Sequence, residues 1–214
     1  MKKNLQIQVP QNCWSFNSNL NDSCGNAHLW SRSKVNLTND RLGQPKSAVN
    51  LNKGFLYAPS VYFPADFTFT FWIYLRSISN WLRVIDLVNG TSVDHLVFFF
   101  YENELIIQNF FHNNSDSKHW IKTNTYFHNN KWYYVAVVQK GSTMVIYINN
   151  RLVSSMYLKV SEINFHNEFD HIDSNEMIDS PMLDGILDEI KLFNQSLSYS
   201  GIINDFHSIP LGII

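Results

Sequence analysis

The stretch 130–153 constrains the fold most, because two strongly apolar runs flank a short polar turn there. The runs Trp132–Gln139 and Thr143–Asn149 are rich in β-branched and aromatic residues, which favour strands. Lys140-Gly141-Ser142 separates them, and Asn149-Asn150 ends the second run. The pattern predicts a β-hairpin that leads directly into a further strand.

The rest of the chain repeats this pattern of short apolar runs broken by Asn, Gly, Asp and Ser. Phe67–Leu75 alternates Phe and Thr with period two, as a central strand does, and Asn89-Gly90 is a hairpin turn signal between two further runs. One short helix is predicted over Ser198–His207, with Ser198 as its N-cap. The remaining predicted strands are Cys13–Phe16, Ser47–Leu51, Phe55–Tyr57, Trp81–Val88, Asp94–Tyr101, Glu104–Asn109, Arg151–Leu158 and Leu183–Phe193. We interpret 26–46 and 110–128 as irregular.

These elements predict an all-β fold, a two-sheet antiparallel jelly-roll sandwich with one short C-terminal helix. Parallel α/β folds are excluded because no helices lie between the strands. We expect one domain over 13–207, preceded by a lead-in, 1–12, and followed by a tail, 208–214. A chain of 214 residues is long enough for one large sandwich.

Composition and charge argue against several classes of binding partner. Hydrophobic residues make up 45% of the chain and charged residues 16%, which supports a packed core. The formal net charge is −2 and no basic stripe is present, so we expect no nucleic-acid binding. No apolar run reaches the roughly 18 residues of a transmembrane helix, so we expect no membrane span.

The location of the protein is read from two features that disagree. The first residues, MKKNLQIQVPQN, lack the apolar stretch of a signal peptide. Five glycosylation sequons favour the extracellular space, and the chain is then part of a larger protein; a cytoplasmic location is the alternative. The sequon asparagines are Asn21, Asn36, Asn89, Asn113 and Asn194.

The chain has only two cysteines, Cys13 and Cys24, at the ends of one turn-rich stretch. A disulfide between them would stabilise the fold by roughly 3 kcal/mol in the chain-entropy model. Two reduced, partly buried thiols are the alternative. Metal binding lacks the CxxC or His pair that would complete a site.

Several motifs in order resemble a known family. They are the opening CWSFNSNLNDSCGNAHL with its Asp-x-x-Gly-Asn, then FTFTFWIYL, WLRVIDLVNG, DHLVFFFYENELIIQ, KWYYVAVVQKGSTMVIYINNRLV and LDGILDEIKLFNQSLSYSGIINDFH. From Cys13 to His207 the chain resembles the concanavalin A-like jelly rolls of the laminin G-like and pentraxin-like group. The resemblance implies two stacked curved sheets. It also implies binding of glycans, cell-surface proteins or matrix proteins, often through calcium, whereas some members act only as spacers.

The resemblance implies a possible calcium site in two loops. Asp94 precedes the strand LVFFFY, and Glu168 and Asp170 lie in an acidic loop ahead of the Gly-x-Leu-Asp-Glu strand. Carboxylates from converging loops suit calcium. His95 departs from the family, where an amide is favoured, and a solvated acidic loop is the alternative interpretation.

Catalysis is not expected. A retaining sugar hydrolase needs two carboxylates about 5–5.5 Å apart on one face. Asp188 and Glu189 are adjacent, so on a regular strand they would point to opposite faces. A degenerate glycoside hydrolase therefore has no carboxylate pair in the sequence.

Aromatic residues offer a binding surface instead. Phe67, Phe69, Phe71, Trp132, Tyr134 and Tyr147 alternate as core residues should. Others fall near predicted strand ends or loops, Trp81 among them, and the loop 110–128 is the predicted recognition surface. Its candidate ligand-binding residues are Phe110, Phe111, His119, Trp120 and Tyr126.

The sequence thus predicts a non-catalytic recognition or adhesion module, with a glycan or an extracellular protein as its ligand and calcium as a candidate cofactor. The alternative is a structural spacer domain of a larger extracellular protein.

Overall fold

A computed structural model describes residues 8–31, 33, 35–59, 61–88, 95–110, 118–157 and 181–208. Within these residues the chain forms twelve strands and one helix. The strands are β1 (Asn12–Trp14), β2 (Asn36–Thr38), β3 (Ala48–Asn50), β4 (Phe67–Leu75), β5 (Leu82–Val88), β6 (His95–Tyr101), β7 (Glu104–Phe110), β8 (Lys118–Tyr126), β9 (Lys131–Lys140), β10 (Thr143–Ile148), β11 (Arg151–Tyr157) and β12 (Gly185–Phe193). The helix is α1 (Tyr199–Phe206).

The strands form two antiparallel sheets that face each other, as the sequence predicts. The larger sheet has the order β11-β10-β9-β4-β12-β3-β2. Strand β1 pairs with 190–192 of β12, and β3 pairs with 186 and 187 of the same strand. The smaller sheet has the order β5-β6-β7-β8. The predicted hairpin of β9 and β10 is confirmed, with Thr143 opposite Lys140 at its turn.

The core lies between the sheets and depends on strict alternation in β4 and β6. Phe67, Phe69 and Phe71 of β4 face inward and are wholly buried. The ring of Phe98 on β6 lies 5.9 Å from that of Phe69 and 5.8 Å from that of Phe71. Because side chains alternate along a strand, the neighbours of these phenylalanines must face outward on both sheets.

Part of the outer face of the larger sheet is covered by α1. Ser198 caps the helix, since its side chain accepts a hydrogen bond from the Gly201 amide, as predicted. Phe206 stacks on Trp72 of β4, and Tyr134 packs edge-on against the same phenylalanine. Tyr134 is therefore buried on the outer face of the larger sheet. The alternation argument, which placed Tyr134 between the sheets, is wrong for this residue.

Three of the sequence-based strand assignments are wrong. The stretch 26–46 contains β2, and the predicted loop 110–128 contains β8, whose pairing with β7 makes it an edge strand of the smaller sheet. Phe55–Tyr57 is not a strand, because Leu56 and Tyr57 form only isolated bridges, that of Tyr57 being to Trp30. No helix in the described part of the chain is long and apolar enough to cross a membrane.

The N-terminal turn is organised around one buried carboxylate. Cys13 and Cys24 are joined by a disulfide, with their Cα atoms 5.2 Å apart. Asp22, inside this loop, is 4% exposed. It accepts hydrogen bonds from the backbone amides of Cys13, Cys24, Gly25 and Ala27 and from the side chain of Asn12, at 2.6–3.2 Å.

This network explains the Asp-x-x-Gly-Asn opening. A Cβ atom on Gly25 would lie 2.8 Å from a carboxylate oxygen of Asp22, so the close approach requires glycine. Burial works to raise the pKa of Asp22, but the hydrogen bonds from Cys13, Asn12 and their neighbours outweigh it and hold the pKa below 3.8.

Asp22→Asn should lower the free energy of unfolding by about 2–4 kcal/mol at pH 7, because an amide replaces a carboxylate that accepts five hydrogen bonds. Urea unfolding followed by circular dichroism measures this. The matched control, Asp184→Asn, breaks a partly exposed ion pair with Arg76 and should cost less than about 1 kcal/mol.

The difference between Asp22→Asn and the parent should also depend on pH. Because the folded-state pKa of Asp22 is depressed, its contribution is present above about pH 4 and is lost as pH falls through that pKa, below 3.8. Equal costs for the two substitutions at pH 7 would contradict this role for Asp22.

Candidate functional site

The outer face of the smaller sheet carries a cluster of aromatic side chains. Since Phe98 and Phe100 face the core, Phe99 and Tyr101 of β6 face outward. Trp81 precedes β5 and Trp120 lies on β8, and both indoles meet Phe99. We call Trp81, Phe99, Tyr101 and Trp120 the aromatic platform.

The rings of the aromatic platform are arranged so that two indoles cover a phenylalanine. Trp81 stacks on Phe99 with centroids 5.4 Å apart and planes 19° apart. Trp120 meets Phe99 edge-on at 5.7 Å and meets Trp81 at 6.0 Å and 77°. Phe99 is 3% exposed, whereas Trp81 is 47% and Trp120 38% exposed. The platform therefore presents two indoles to solvent at nearly a right angle.

Trp81 reaches this position through an unusual backbone conformation. Its φ is +65°, the left-handed region that bulky residues rarely adopt. Its amide donates to the carbonyl of Phe100 at 2.7 Å, which ties the turn to β6. The side chain of the preceding Asn80 accepts a hydrogen bond from the Glu102 amide at 2.8 Å, so the turn is fixed on both sides.

Polar side chains border the aromatic platform in the same sheet. Arg83 lies opposite Phe99 in the register and donates to Asp86, with which it forms an ion pair. Gln108 lies directly opposite Trp120, and Lys122 lies opposite Ile106 in the next row. Of these polar residues, Lys122 is exposed and Arg83 partly exposed, whereas Gln108 and Asp86 are buried.

The sequence-predicted ligand residues do not come together as one loop. Trp120 belongs to the aromatic platform, whereas Tyr126 lies farther along β8, opposite Glu104. Tyr126 is 60% exposed and accepts a hydrogen bond from the Asn103 side chain at 2.7 Å. Phe110 ends β7 and His119 lies on β8, and nothing of their side chains is described; Phe111 lies outside the described residues.

The platform could have been anticipated from one signal. In the run HLVFFFY, consecutive aromatic residues point to opposite faces of β6. Phe99 therefore points outward, and other apolar side chains are expected to pack on it. The sequence analysis placed Trp81 at a loop but had no means of pairing it with Phe99 and Trp120, which come from other strands.

The predicted calcium ligands Asp94, Glu168 and Asp170 all lie outside the described residues. Within the described ranges, no group of three His, Cys, Asp or Glu side chains could hold a metal ion. Of the sequon asparagines, Asn21, Asn36 and Asn194 are exposed, and Asn89 and Asn113 lie outside the described residues.

The expectation that Asp188 and Glu189 point to opposite faces is wrong. A bulge separates Asp188 from Lys191, which lie opposite Trp72 and Thr70 on the outer face, and Glu189 pairs with Lys191 there. The inserted residues change the alternation that the argument assumed. Oδ2 of Asp188 accepts a hydrogen bond from Arg41 at 2.8 Å, and Oδ1 has no partner among the described residues. Because Asp188 is wholly buried, it presents no carboxylate oxygen to solvent.

Solved structures with the same fold include three carbohydrate-related proteins. Domain 4 of AbnA, a GH43 extracellular arabinanase from Geobacillus stearothermophilus solved in complex with arabinotriose, has a TM-score of 0.79 at 14% identity; the match covers 94% of this chain and 100% of that domain. A structure of botulinum neurotoxin type C, whose cell entry depends on interaction with two ganglioside molecules, has a TM-score of 0.71 at 20% identity. The binding domain of botulinum neurotoxin DC in complex with SialylT has a TM-score of 0.70 at 18% identity.

The match covers 93% of this chain but only 50% of each toxin structure, so the chain spans about half of their length. At these identities the likeness establishes the fold. No curated protein matches the chain. A laminin G-type family model described as the concanavalin A-like lectin/glucanases superfamily matches residues 50–202, and the chain belongs to this superfamily.

Proposed function

We propose that the domain is a non-catalytic glycan-recognition module and that the aromatic platform is its sugar-binding surface. The observation that carries the proposal is the pair of exposed indoles, Trp81 and Trp120, held at a fixed angle over a buried Phe99. An indole offers a large apolar face and a polar N–H, a combination common at interfaces where one side stays wet.

The chemistry of a sugar ring suits this surface. A sugar ring has an apolar C–H face that can stack on an indole and hydroxyl groups at its rim. Lys122 is exposed and Arg83 is partly exposed in the neighbouring rows of the sheet, and both can donate hydrogen bonds to such hydroxyls. Small-ligand sites usually consist of apolar side chains with a few polar groups around them.

The backbone of Trp81 gives independent support. A bulky residue in the left-handed region costs about 1–3 kcal/mol, and such strain concentrates at binding sites. A turn that served only to connect strands could place Asn or Gly at this position at lower cost. The strained conformation lays the indole of Trp81 over Phe99, where it forms half of the exposed surface.

The ligands named for the similar solved structures are of the class proposed here, glycans. The arabinanase domain is matched over its whole length and was solved with a bound oligosaccharide. The toxin proteins interact with gangliosides or SialylT. For this chain, a glycan is accordingly the proposed partner.

A non-catalytic role is supported by the state of the two carboxylates on β12. Asp188 is buried against Arg41, and Glu189 is bound to Lys191. An extracellular location is supported by the disulfide between Cys13 and Cys24, which persists in oxidising compartments. We include calcium in the test because its predicted ligands, Asp94, Glu168 and Asp170, are not described.

Binding to a broad glycan array, in calcium and again in a chelator, tests the proposal, with arabino-oligosaccharides and ganglioside headgroups among the glycans. We expect binding that survives the chelator. Trp81→Ala and Trp120→Ala should each lower affinity at least tenfold, about 1.4 kcal/mol, as expected for central aromatic contacts.

Trp30→Ala is the matched control for the array, since Trp30 is 44% exposed but belongs to no strand of the smaller sheet and stacks on Tyr57. It should bind as the parent does. Binding lost in the chelator would move the site to Asp94, Glu168 and Asp170. No glycan binding in either buffer would favour a protein partner or the spacer function.

The conformation of Trp81 makes a separate prediction about stability. Trp81→Gly should be more stable to urea than Trp81→Ala by about 1 kcal/mol, because alanine is disfavoured in the left-handed region and glycine is not. At Trp30, whose φ is not positive, the order should reverse. A Trp81→Ala variant at least as stable as Trp81→Gly would show that the turn does not hold this conformation.

A further inference from the structure

Two buried carboxyl groups lie on the same side of the larger sheet because of the bulge in β12. Asp188 and Lys191 lie opposite Trp72 and Thr70 on the outer face. Glu189, inserted between them, has a φ of +48°, and its side chain pairs with Lys191. On a regular strand Asp188 and Glu189 would point to opposite faces, so the bulge brings together two acidic side chains that alternation would separate. We call Asp188 and Glu189 the carboxyl pair.

Each member of the carboxyl pair has one oxygen bound to a cation and one oxygen without a partner. Asp188 Oδ2 accepts from Arg41 at 2.8 Å, and Glu189 Oε2 lies 3.0 Å from the ammonium of Lys191. Asp188 Oδ1 and Glu189 Oε1 are buried, and neither has a hydrogen-bond donor among the described residues. The two side chains are 0% and 4% exposed, so solvent does not supply the missing donors.

The neighbouring ammonium group cannot supply a donor to these oxygens. Lys191 has three N–H donors, and they are directed at Glu189 Oε2, Asp205 Oδ1 and Ser208 Oγ, each at 3.0 Å. A buried acceptor without a donor costs free energy, and here two such acceptors belong to adjacent residues. One proton bound to the carboxyl pair would convert an acceptor into a donor.

The charges around the carboxyl pair do not balance. Among the described residues, the carboxyl groups of this cluster are Asp40, Asp188, Glu189 and Asp205, and its cations are Arg41 and Lys191. Asp40 also has a buried oxygen without a partner, although its other oxygen accepts from the Leu42 and Gln44 amides. Two cations cannot neutralise four buried carboxylates, and uncompensated charge in a region closed to water is costly.

The remaining titratable groups nearby do not change this balance. Tyr134 of β9 donates its hydroxyl to Asp205 Oδ2 at 2.7 Å. His207 follows α1, is exposed, and packs edge-on against Phe206. Asp22, in the disulfide turn, has hydrogen bonds of its own. The carboxyl pair therefore has no further cation among the described residues packed around it.

Asp188 is the group that is suited to hold a proton. Burial first, and then the charge of Glu189, raise the pKa of Asp188 to about 7; Arg41 acts in the opposite direction, and Asp40 adds to the rise. Burial works to lower the pKa of Lys191, but Asp205 and Glu189 raise it above its usual value, so this lysine stays charged.

Both cations of the cluster also hold the end of α1. Arg41 donates to the Ser208 carbonyl at 3.3 Å as well as to the carboxyl pair, and Lys191 donates to Asp205 and Ser208. A cleft of about 700 Å³ opens beside α1, between the N-terminal segment, the disulfide turn and β12, and these residues line it with Glu189. Because the helix is not packed against protein on the cleft side, these polar contacts hold its end there.

We propose that the carboxyl pair carries one proton in the folded domain at mildly acidic pH, and that loss of this proton in alkaline solution weakens the attachment of α1 to the larger sheet. The proton supplies a donor between two oxygens that lack one and reduces the excess of negative charge. Two carboxyl groups that share a site titrate as a unit in this way. The device is independent of the aromatic platform.

The sign of the pH dependence follows from the unfolded state. There the Asp188 carboxyl has its ordinary pKa of 3.8, whereas the folded domain keeps the proton until the pH rises through about 7. Unfolding between these values therefore releases one proton, and the unfolding equilibrium constant rises by up to about tenfold per pH unit. Asp22, whose pKa is depressed, acts in the opposite direction only as pH falls below 3.8, so the two effects are separate.

Asp188→Asn tests the proposal, because the amide keeps an acceptor for Arg41 and places a permanent N–H donor where the proton is proposed. Urea unfolding of the full chain is followed from about pH 5 to about pH 8. We expect the unfolding constant of the parent to rise at least tenfold more over this range than that of Asp188→Asn. The variant should match the parent at the acidic end and exceed it in stability at the alkaline end.

The opposite result has a distinct form. If Asp188 is ionised throughout and simply paired with Arg41, Asp188→Asn is less stable than the parent at every pH, and the two proteins share one pH dependence. That outcome would overturn the proposal. Asp184→Asn, which breaks the partly exposed ion pair with Arg76 just before β12, is the matched control and should keep the pH dependence of the parent.

A direct titration of the parent does not depend on unfolding or on a variant. Carbon-13 NMR of the side-chain carboxyl carbon of Asp188 should show a midpoint near pH 7. The indole N–H signal of Trp72, whose ring lies 4.4 Å from the Arg41 guanidinium and stacks on Phe206, should follow the same midpoint, as should the amide signals of α1. A midpoint in the ordinary carboxyl range, or α1 signals that do not follow Asp188, would contradict the proposal.

Discussion

The packing of β4 phenylalanines against β6 is the constraint from which both faces of the sandwich follow. Phe69 and Phe71 hold Phe98 between the sheets, and this contact fixes which residues of β6 face inward. Because the run FFFY has no polar residue to place outside, Phe99 must lie on the outer surface. In the aromatic platform, Trp81 and Trp120 pack on Phe99 and shield it from water, and both indoles are themselves partly exposed.

The larger sheet also has apolar residues on its outer face, but there a helix covers them. Its outer face is also apolar around Tyr134 and Trp72, and α1 covers it through Phe206. The helix covers only part of that face, and the cleft beside it contains the bulge of β12 with Glu189. The two outer faces thus differ in chemistry: one presents aromatic rings to solvent and the other encloses the carboxyl pair.

Much of the fold was predictable because hairpins and period-two alternation are local signals. The β9–β10 hairpin, the β5–β6 pair and the cap of α1 follow from residues a few positions apart. Strand β8 was missed because KHWIKTNTY is largely polar, as suits an edge strand whose one face is wet. The bulge at Glu189 was missed because an inserted residue leaves no mark in composition. The partners of Asp22 and of Trp81 depend on pairing between distant segments, which one sequence does not reveal.

The most direct measurement is a titration of the ¹⁵N-labelled domain with arabinotriose and with a ganglioside headgroup oligosaccharide, observed at the six tryptophan indole N–H resonances. If the aromatic platform binds glycans, the signals of Trp81 and Trp120 shift in a saturable manner, while those of Trp14, Trp30, Trp72 and Trp132 stay in place. Shifts confined to the other tryptophans, or none with either sugar, would contradict the account.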